Sequence, residues 1–371
     1  MAFDIVTFDT QVVQTNSYDF DGGLLNKLLN LKHDTVDVVI SDVVKLEILK
    51  HLTDHTQAII DRLNSARRQA IDFGVIEGSL TDKTDRSDAG IIASNRFHGY
   101  LEDLGAKIIP VSNVQVSELM DMYFSSKPPF GAGKKKNEFP DAVTLVAIER
   151  YAKQRGAKVL AISGDSDWLA YAKQSNCIEV VDTISKALEM LNAQSSSGRV
   201  AAGKILDQIA LLDNNKTTDQ LQSQIESKLK SVYISADARS SYYIRSDYAN
   251  IELIDIMKID VPSFTLVDAR EDLSELVVEI EAFLFVAATA SFELSRHYDK
   301  DGVYVFLGST SKTVREAIRV RLMITITNDN SVPQITNLEF LQYPASIDFG
   351  DVFPSYGGSF YEESNSRKAD S

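Results

Sequence analysis

Residues 134–168 read KKKNEFPDAVTLVAIERYAKQRGAKVLAISGDSDW. Pro140 fits the first turn of a helix, where the missing N–H has no intrahelical partner to lose. Val143, Val146, Ala147 and Tyr151 follow at helical spacing, which predicts a helix beginning beside Asp141. The apolar run from Lys158 to Ser163 predicts a buried strand. Asp165 stands just past the carboxyl end of that strand, with Asp167 two residues on. Ligands of open α/β sheets bind outside that edge, and a helix dipole keeps a carboxylate at its N-terminus ionised. The fold and the chemistry both turn on which other acids reach the same edge.

Phe3–Phe8 (FDIVTF) reads as a strand ending at Asp9, and Val36–Ile40 as a second strand closed by Ser41-Asp42. Either of these two residues suits the cap of the next helix, which runs from Val43 to about Leu52 and carries Glu47 in its second turn. Further helices are predicted at Leu24–Leu31, Thr56–Phe73, Asp88–Leu104, Val114–Phe124 and Trp168–Lys173. Glu77–Asp88 and Ser125–Asn137 read as loops, Lys107–Val111 as a third strand and Cys177–Val181 as a fifth. Strands alternating with helices predict a mainly parallel sheet with helices on both faces and right-handed crossovers.

Near Asn192 the pattern changes. Gln194–Gly198 reads as a linker, with helices at Val200–Leu212 and Thr218–Lys230. From Tyr233 the chain is β-rich, with long strands at Leu276–Phe285 and Arg319–Thr327 and a turn at Asp299–Gly302. The expected organisation is an α/β domain over 1–192, a helical linker over 193–232, a β-rich α+β domain with an antiparallel sheet over 233–352, and a disordered tail over 353–371.

The 371 residues suffice for two domains, and 44% apolar with 25% charged residues is ordinary for a soluble globular protein. No run is long and apolar enough to span a bilayer, and no secretory signal is read at the N-terminus. The single Cys177, read as a small buried residue within a strand, excludes an internal disulfide and disfavours a thiolate zinc site or covalent catalysis. The expected compartment is the cytoplasm. A net charge of −15 argues against broad nucleic-acid binding, but acids gathered to hold metal would raise the negative count themselves.

Asp9, Glu47, Asp141 and Asp165 stand at comparable places around the predicted sheet. Carboxylates so gathered repel one another unless a cation neutralises them, and hard oxygen ligands suit Mg²⁺ or Mn²⁺. Two such ions about 3.5–4 Å apart activate water and stabilise the leaving oxygen of a phosphodiester. With these elements in order, the sequence resembles the PIN-domain nucleases, of the larger type with an added C-terminal domain. The pieces that carry the resemblance are Val6-Thr-Phe-Asp-Thr10, Ser41-Asp-Val-Val-Lys-Leu-Glu47, Phe139-Pro-Asp-Ala142 and Ser163-Gly-Asp-Ser-Asp-Trp168, and it covers about residues 3–190. It implies a PIN-like parallel sheet flanked by helices, a metal-binding cluster of Asp9, Glu47, Asp141 and Asp165 with Asp167 as an accessory acid, and RNA as substrate. Small PIN proteins include toxins of toxin–antitoxin pairs, but this chain is far longer than those.

Plainer roles stand beside these. Asp165 could simply cap the following helix, Asp141 could serve only the helix dipole, and Glu47 could be a surface charge. Lys134, Lys135 and Lys136 either hold substrate phosphates or form a solvated loop. Ser41 and Ser163 either hydrogen-bond within the site or serve the strand ends. Gly131-Ala-Gly-Lys134 is no Walker loop, because Pro128 and Lys135 occupy the positions that need glycine and a hydroxyl residue. His51 and His55 lack a third zinc ligand, and Trp168 is read as packing beside the strand rather than stacking on a base.

The sequence therefore points to a metal-dependent phosphodiesterase acting on single-stranded RNA. A catalytically silent RNA- or protein-binding module and a flap-type DNA nuclease are the alternatives. The β-rich domain is expected to select substrate or mediate assembly. A homo-oligomer and a regulatory partner protein remain compatible with this reading.

Overall fold

The computed structural model describes residues 2–33, 36–77, 84–131, 138–194, 215–259, 264–270, 274–298, 303–329 and 332–355. They divide into two compact units, Met1–Leu206 with Thr265–Val278, and Asp207–Phe264 with Glu279–Ser371. Thr265–Val278 thus groups with the first unit, although it lies inside the stretch read as the β-rich region.

The first unit is built on five strands, β1 (Ile5–Phe8), β2 (Asp37–Ser41), β3 (Lys107–Ile109), β4 (Val159–Ile162) and β5 (Ile178–Val181). Their order is β3-β2-β1-β4-β5, and every pairing is parallel. β1 and β4 are buried along their whole length, which is why they read as continuous apolar runs and not as alternating ones. One face of the sheet meets α6 (Phe139–Arg155), where Leu145, Val146 and Ile148 pack with Ile5, Val39, Val159 and Trp168 in one core.

The register sets the functional edge. Phe8 is level with Ile162, so one residue further on Asp9 is level with Ser163. Val6 is level with Val38, so three residues further on Asp9 is level with Ser41. Neighbouring strands lie about 4.8 Å apart, so the carboxyl ends of β2, β1 and β4 form one continuous rim.

Most expected elements are present, with informative differences. The helices predicted at Val43–Leu52 and Thr56–Phe73 are a single helix, α3 (Asp42–Asp72), of 31 residues. The polar stretch between them does not break it, because Leu52 and Ile60 are buried on the same helix. Ser41 caps α3, its Oγ accepting from Val44 N at 3.1 Å, while Asp42 Oδ1 instead accepts from Val111 N at 3.2 Å. α1 (Thr10–Thr15), directly after Asp9, and α8 (Ile184–Asn192) are additional. The predicted helix at Leu24–Leu31 is a short α2 (Gly23–Lys27) continuing as a 3₁₀ turn, Leu28–His33. α4 (Asp88–Leu104), α5 (Val116–Phe124) and α7 (Ser166–Ala172) lie near their expected places. Cys177 is half-buried just ahead of β5, with Ser175 Oγ at 3.7 Å from its Sγ, and not buried within the strand.

The second unit combines α9 (Asn215–Leu229) with a mixed sheet. Its strands are β6 (Ile234–Arg239), β7 (Tyr243–Ser246), β8 (Tyr248–Ile259), β10 (Glu275–Tyr298), β11 (Val303–Asp329), β12 (Val332–Gln342) and β13 (Ser346–Asp351). β10 and β11 have 24 and 27 residues, far longer than the two strands read from the sequence. Burial alternates along β10 from Glu281 to Ser295, but the half-buried positions Phe283, Phe285 and Ala287 are also apolar, so the sequence itself does not alternate there; the register shifts place the extra residues on β8. The sheet is not wholly antiparallel, since β13 pairs with β6 in parallel. In the first unit, β9 (Thr265–Ala269) pairs with the opening of β10, and Val267 O accepts from Asn192 Nδ2 at 3.0 Å. The turn at Asp299–Gly302, the predicted helix at Val200–Leu212, most of the linker and the tail from Tyr356 lie outside the described residues.

Ser41 does more than cap. It is fully buried, and its Oγ also lies 3.0 Å from Thr144 Oγ1 on α6. Ser41→Ala should therefore cost about 1–2 kcal/mol of stability, from a lost cap and a buried hydroxyl left without its partner, read as a lower urea midpoint.

Candidate active site

Four carboxylates are carried to the rim by four different elements. Asp9 ends β1, Asp165 follows β4, Glu47 sits in the second turn of α3, and Asp141 in the first turn of α6. Each is held by a neutral donor. Ser163 Oγ donates to Asp9 Oδ2 at 3.1 Å and accepts from Asp165 N at 3.1 Å, so one hydroxyl ties the two strand ends together. Thr10 Oγ1 donates to Glu47 Oε2 at 3.1 Å, joining α3 to the start of α1. Trp168 Nε1 donates to Asp141 Oδ1 at 3.0 Å. The Ser41–Thr144 pair fixes α6 one turn beyond Asp141.

Asp165 is the N-cap of α7, its Oδ1 accepting from Asp167 N at 2.7 Å. In Glu47, Asp141 and Asp165 the second carboxylate oxygen takes no hydrogen bond from the described residues. None of the four acids forms an ion pair with a described Lys, Arg or His.

The electrostatics follow from that missing counter-charge. Asp9 is 8% exposed, and its pKa is raised to about 6. Burial is the largest cause, and the neighbouring charges of Asp141 and Asp165 add to it, against hydrogen bonds from Ser163 and Thr10. Asp141 is also raised, first by burial and then by Asp165, Glu47 and Asp167, with the Trp168 indole opposing. Each acid of the set thus acts on at least one other.

Asp167 is buried at the start of α7 and belongs to the same field. Ser41 faces Thr144 and its own helix, and Ser163 bridges Asp9 and Asp165, so these two serines support the rim from within. Lys134, Lys135 and Lys136 lie outside the described residues. Sequence reasoning missed Thr10 and the indole of Trp168 as supports. A buried Trp N–H needs an acceptor, and that rule was the available signal.

As to metal, the donor set suits a hard divalent cation: oxygen only, with negative charge in excess and lone pairs left unengaged. Among the described residues, however, no three acids or imidazoles converge closely enough to coordinate an ion as they stand. Like charges without a counter-ion are expected to stand apart.

The raised Asp9 carboxyl has a measurable consequence. The folded state binds this proton more tightly than the unfolded state, whose carboxyl titrates near the model value of 3.8. Its effect is favourable to folding at low pH and is lost as pH rises through about 6. Asp9→Asn in metal-free buffer should be more stable than the parent at pH 8, by up to about 3 kcal/mol, with the gap closing toward pH 4. Urea denaturation at the two pH values measures it.

No curated protein and no solved structure shows significant similarity to the chain. A family model described as PIN domain matches residues 6–168, from within β1 to the indole that holds Asp141, and so spans all four rim acids and Asp167. Residues 6–168 thus match the PIN domain, a family generally associated with nucleases, on a parallel sheet consistent with that fold, and a β-rich region follows.

Proposed function

We propose that the protein is a divalent-metal-dependent ribonuclease that hydrolyses phosphodiester bonds of single-stranded RNA at this rim. The observation that carries the reading is the gathering of Asp9, Glu47, Asp141 and Asp165 around one sheet edge within the stretch that matches the PIN-domain model, with no described Lys, Arg or His paired to them. These four would hold Mg²⁺ or Mn²⁺, with Asp167 in support. When bound, the ion supplies Lewis acidity and a water of lowered pKa at neutral pH.

The side chains of this chain do the positioning. Ser163 sets the distance between Asp9 and Asp165. Trp168 orients Asp141, and Thr10 orients Glu47. The reading needs no side-chain nucleophile, and the attacking group comes from solvent. Lys134, Lys135 and Lys136 are proposed to meet substrate phosphates.

A second reading is a PIN module that binds without cleaving. The lack of a preformed ligand shell among the described residues favours it. Calorimetric titration with Mn²⁺ separates the two, since binding at millimolar metal or tighter is required by the first.

Asp141→Asn and Asp165→Asn should each lower Mn²⁺-dependent cleavage of a labelled single-stranded RNA by about 100-fold or more. Undiminished cleavage by both variants rejects the mechanism. Mn²⁺ affinity of the parent should fall as pH drops through about 6, because the ion must displace the proton that metal-free Asp9 holds. The same assay on DNA of matching sequence separates a ribonuclease from a flap-type enzyme.

A further inference from the structure

The chain carries a net charge of −15, yet one strip of the first unit combines cations with aromatic rings. On α3, Glu47, His51, His55 and Arg62 follow one another at spacings that keep them on one side of the helix. His55 stands eight residues beyond Glu47, about 12 Å along the axis. The ring of Tyr18, just past α1, lies against His55 with centroids 5.0 Å apart. Arg62 and Arg96 both act on His55 as positive neighbours, adding to burial in disfavouring its imidazolium form. Arg96, on α4, lies over the Phe20 ring at 5.6 Å.

Several other cations of the unit are tied to acids. Lys107, Arg150, Lys153 and Lys186 are each engaged with an acid. Arg62 meets no carboxylate among the described residues, its Nε reaching only Ala58 O at 3.3 Å. Arg96 holds Asp21 at 3.2 Å, but that carboxylate is 88% exposed and readily exchanged for a phosphate.

Beside Arg96 is a recess of about 260 Å³, lined among others by Phe20, Asn26, Asn95, Tyr100 and Asp103. It is smaller than the roughly 300–1,000 Å³ of pockets for drug-sized ligands, and its inner wall is aromatic. Amide groups offer both donors and acceptors. Carboxylates at its mouth repel a phosphate but accept from a base amino group. An unpaired base is the part of a polynucleotide that meets these conditions.

We propose that this strip is the binding track for the single-stranded substrate as it leaves the acidic rim. Arg62 and Arg96 contact its phosphates, the exposed His55 ring, backed by the buried Tyr18, offers a stacking face, and the recess receives one base. The proposal rests on the ribonuclease reading for its substrate, but it is tested by binding alone.

The test uses the full chain in EDTA with a short fluorescein-labelled single-stranded RNA of mixed sequence, followed by anisotropy at several salt concentrations. Arg62→Glu and Arg96→Glu should each weaken binding about tenfold, and Arg62→Gln and Arg96→Gln should flatten the salt dependence by about one contact apiece. His55→Ala should weaken it about fivefold or more through lost stacking. Lys186→Glu, on α8, should bind as the parent does. Parent-like affinity and salt slope in the arginine variants overturn the track, as does an equal loss in Lys186→Glu. If the parent binds RNA through these residues but never cleaves it with Mn²⁺, the track stands and hydrolysis fails. If cleavage proceeds with unchanged KM in the arginine variants, hydrolysis stands and the track fails.

Discussion

Repulsion among carboxylates at the carboxyl rim of a parallel sheet is the constraint around which the first unit is arranged. A buried acid with acidic neighbours shifts toward its neutral form unless something positive or a strong donor offsets it. Asp9 shows the residue of that conflict, being raised in spite of two hydrogen bonds that favour its charge. A fold selected only for stability has an easy remedy, which is to place an arginine or lysine at the rim. None of the described cations is used this way. The strain is kept, and a site that keeps such strain is a candidate for function.

The means of keeping it are local and neutral. Ser163, Thr10 and Trp168 each give one hydrogen bond to one acid. Neutral donors orient a carboxylate without cancelling its charge, so the field at the rim survives for an incoming cation. The supports also join elements distant in sequence: Thr10 to Glu47 links α1 to α3, and Trp168 to Asp141 links α7 to α6. Fixing the acids and closing the fold are in this respect the same interactions.

The sheet was legible because buried parallel strands are short apolar runs, and five of them alternate with helical patterns. The acids were legible because each stands at a strand end or in an early helix turn, places that sequence spacing reveals. What was hidden depends on partners far along the chain. Nothing in the stretch from His51 to His55 announces that α3 continues, since Leu52 owes its burial to tertiary packing. The lengths of β10 and β11 were obscured by composition: half-buried positions of β10 such as Phe283 and Phe285 are as apolar as its core positions, and Tyr304 to Ala317 of β11 holds only exposed and half-buried residues. The indole of Trp168 read as packing, and it is packed, but its one polar atom also determines where Asp141 points.

Asp165 shows why a plain role and a functional one need not compete. As an N-cap it uses Oδ1, accepting from Asp167 N. The cap therefore supplies a defined rotamer, which a metal ligand needs, while Oδ2 takes no hydrogen bond from the described residues. Asp141 is oriented without capping: the Trp168 indole holds Oδ1, opposes part of the rise that burial and the neighbouring acids impose, and leaves one oxygen unengaged. At Asp165 capping is thus the means by which the carboxylate is oriented, and evidence for the cap is not evidence against the site.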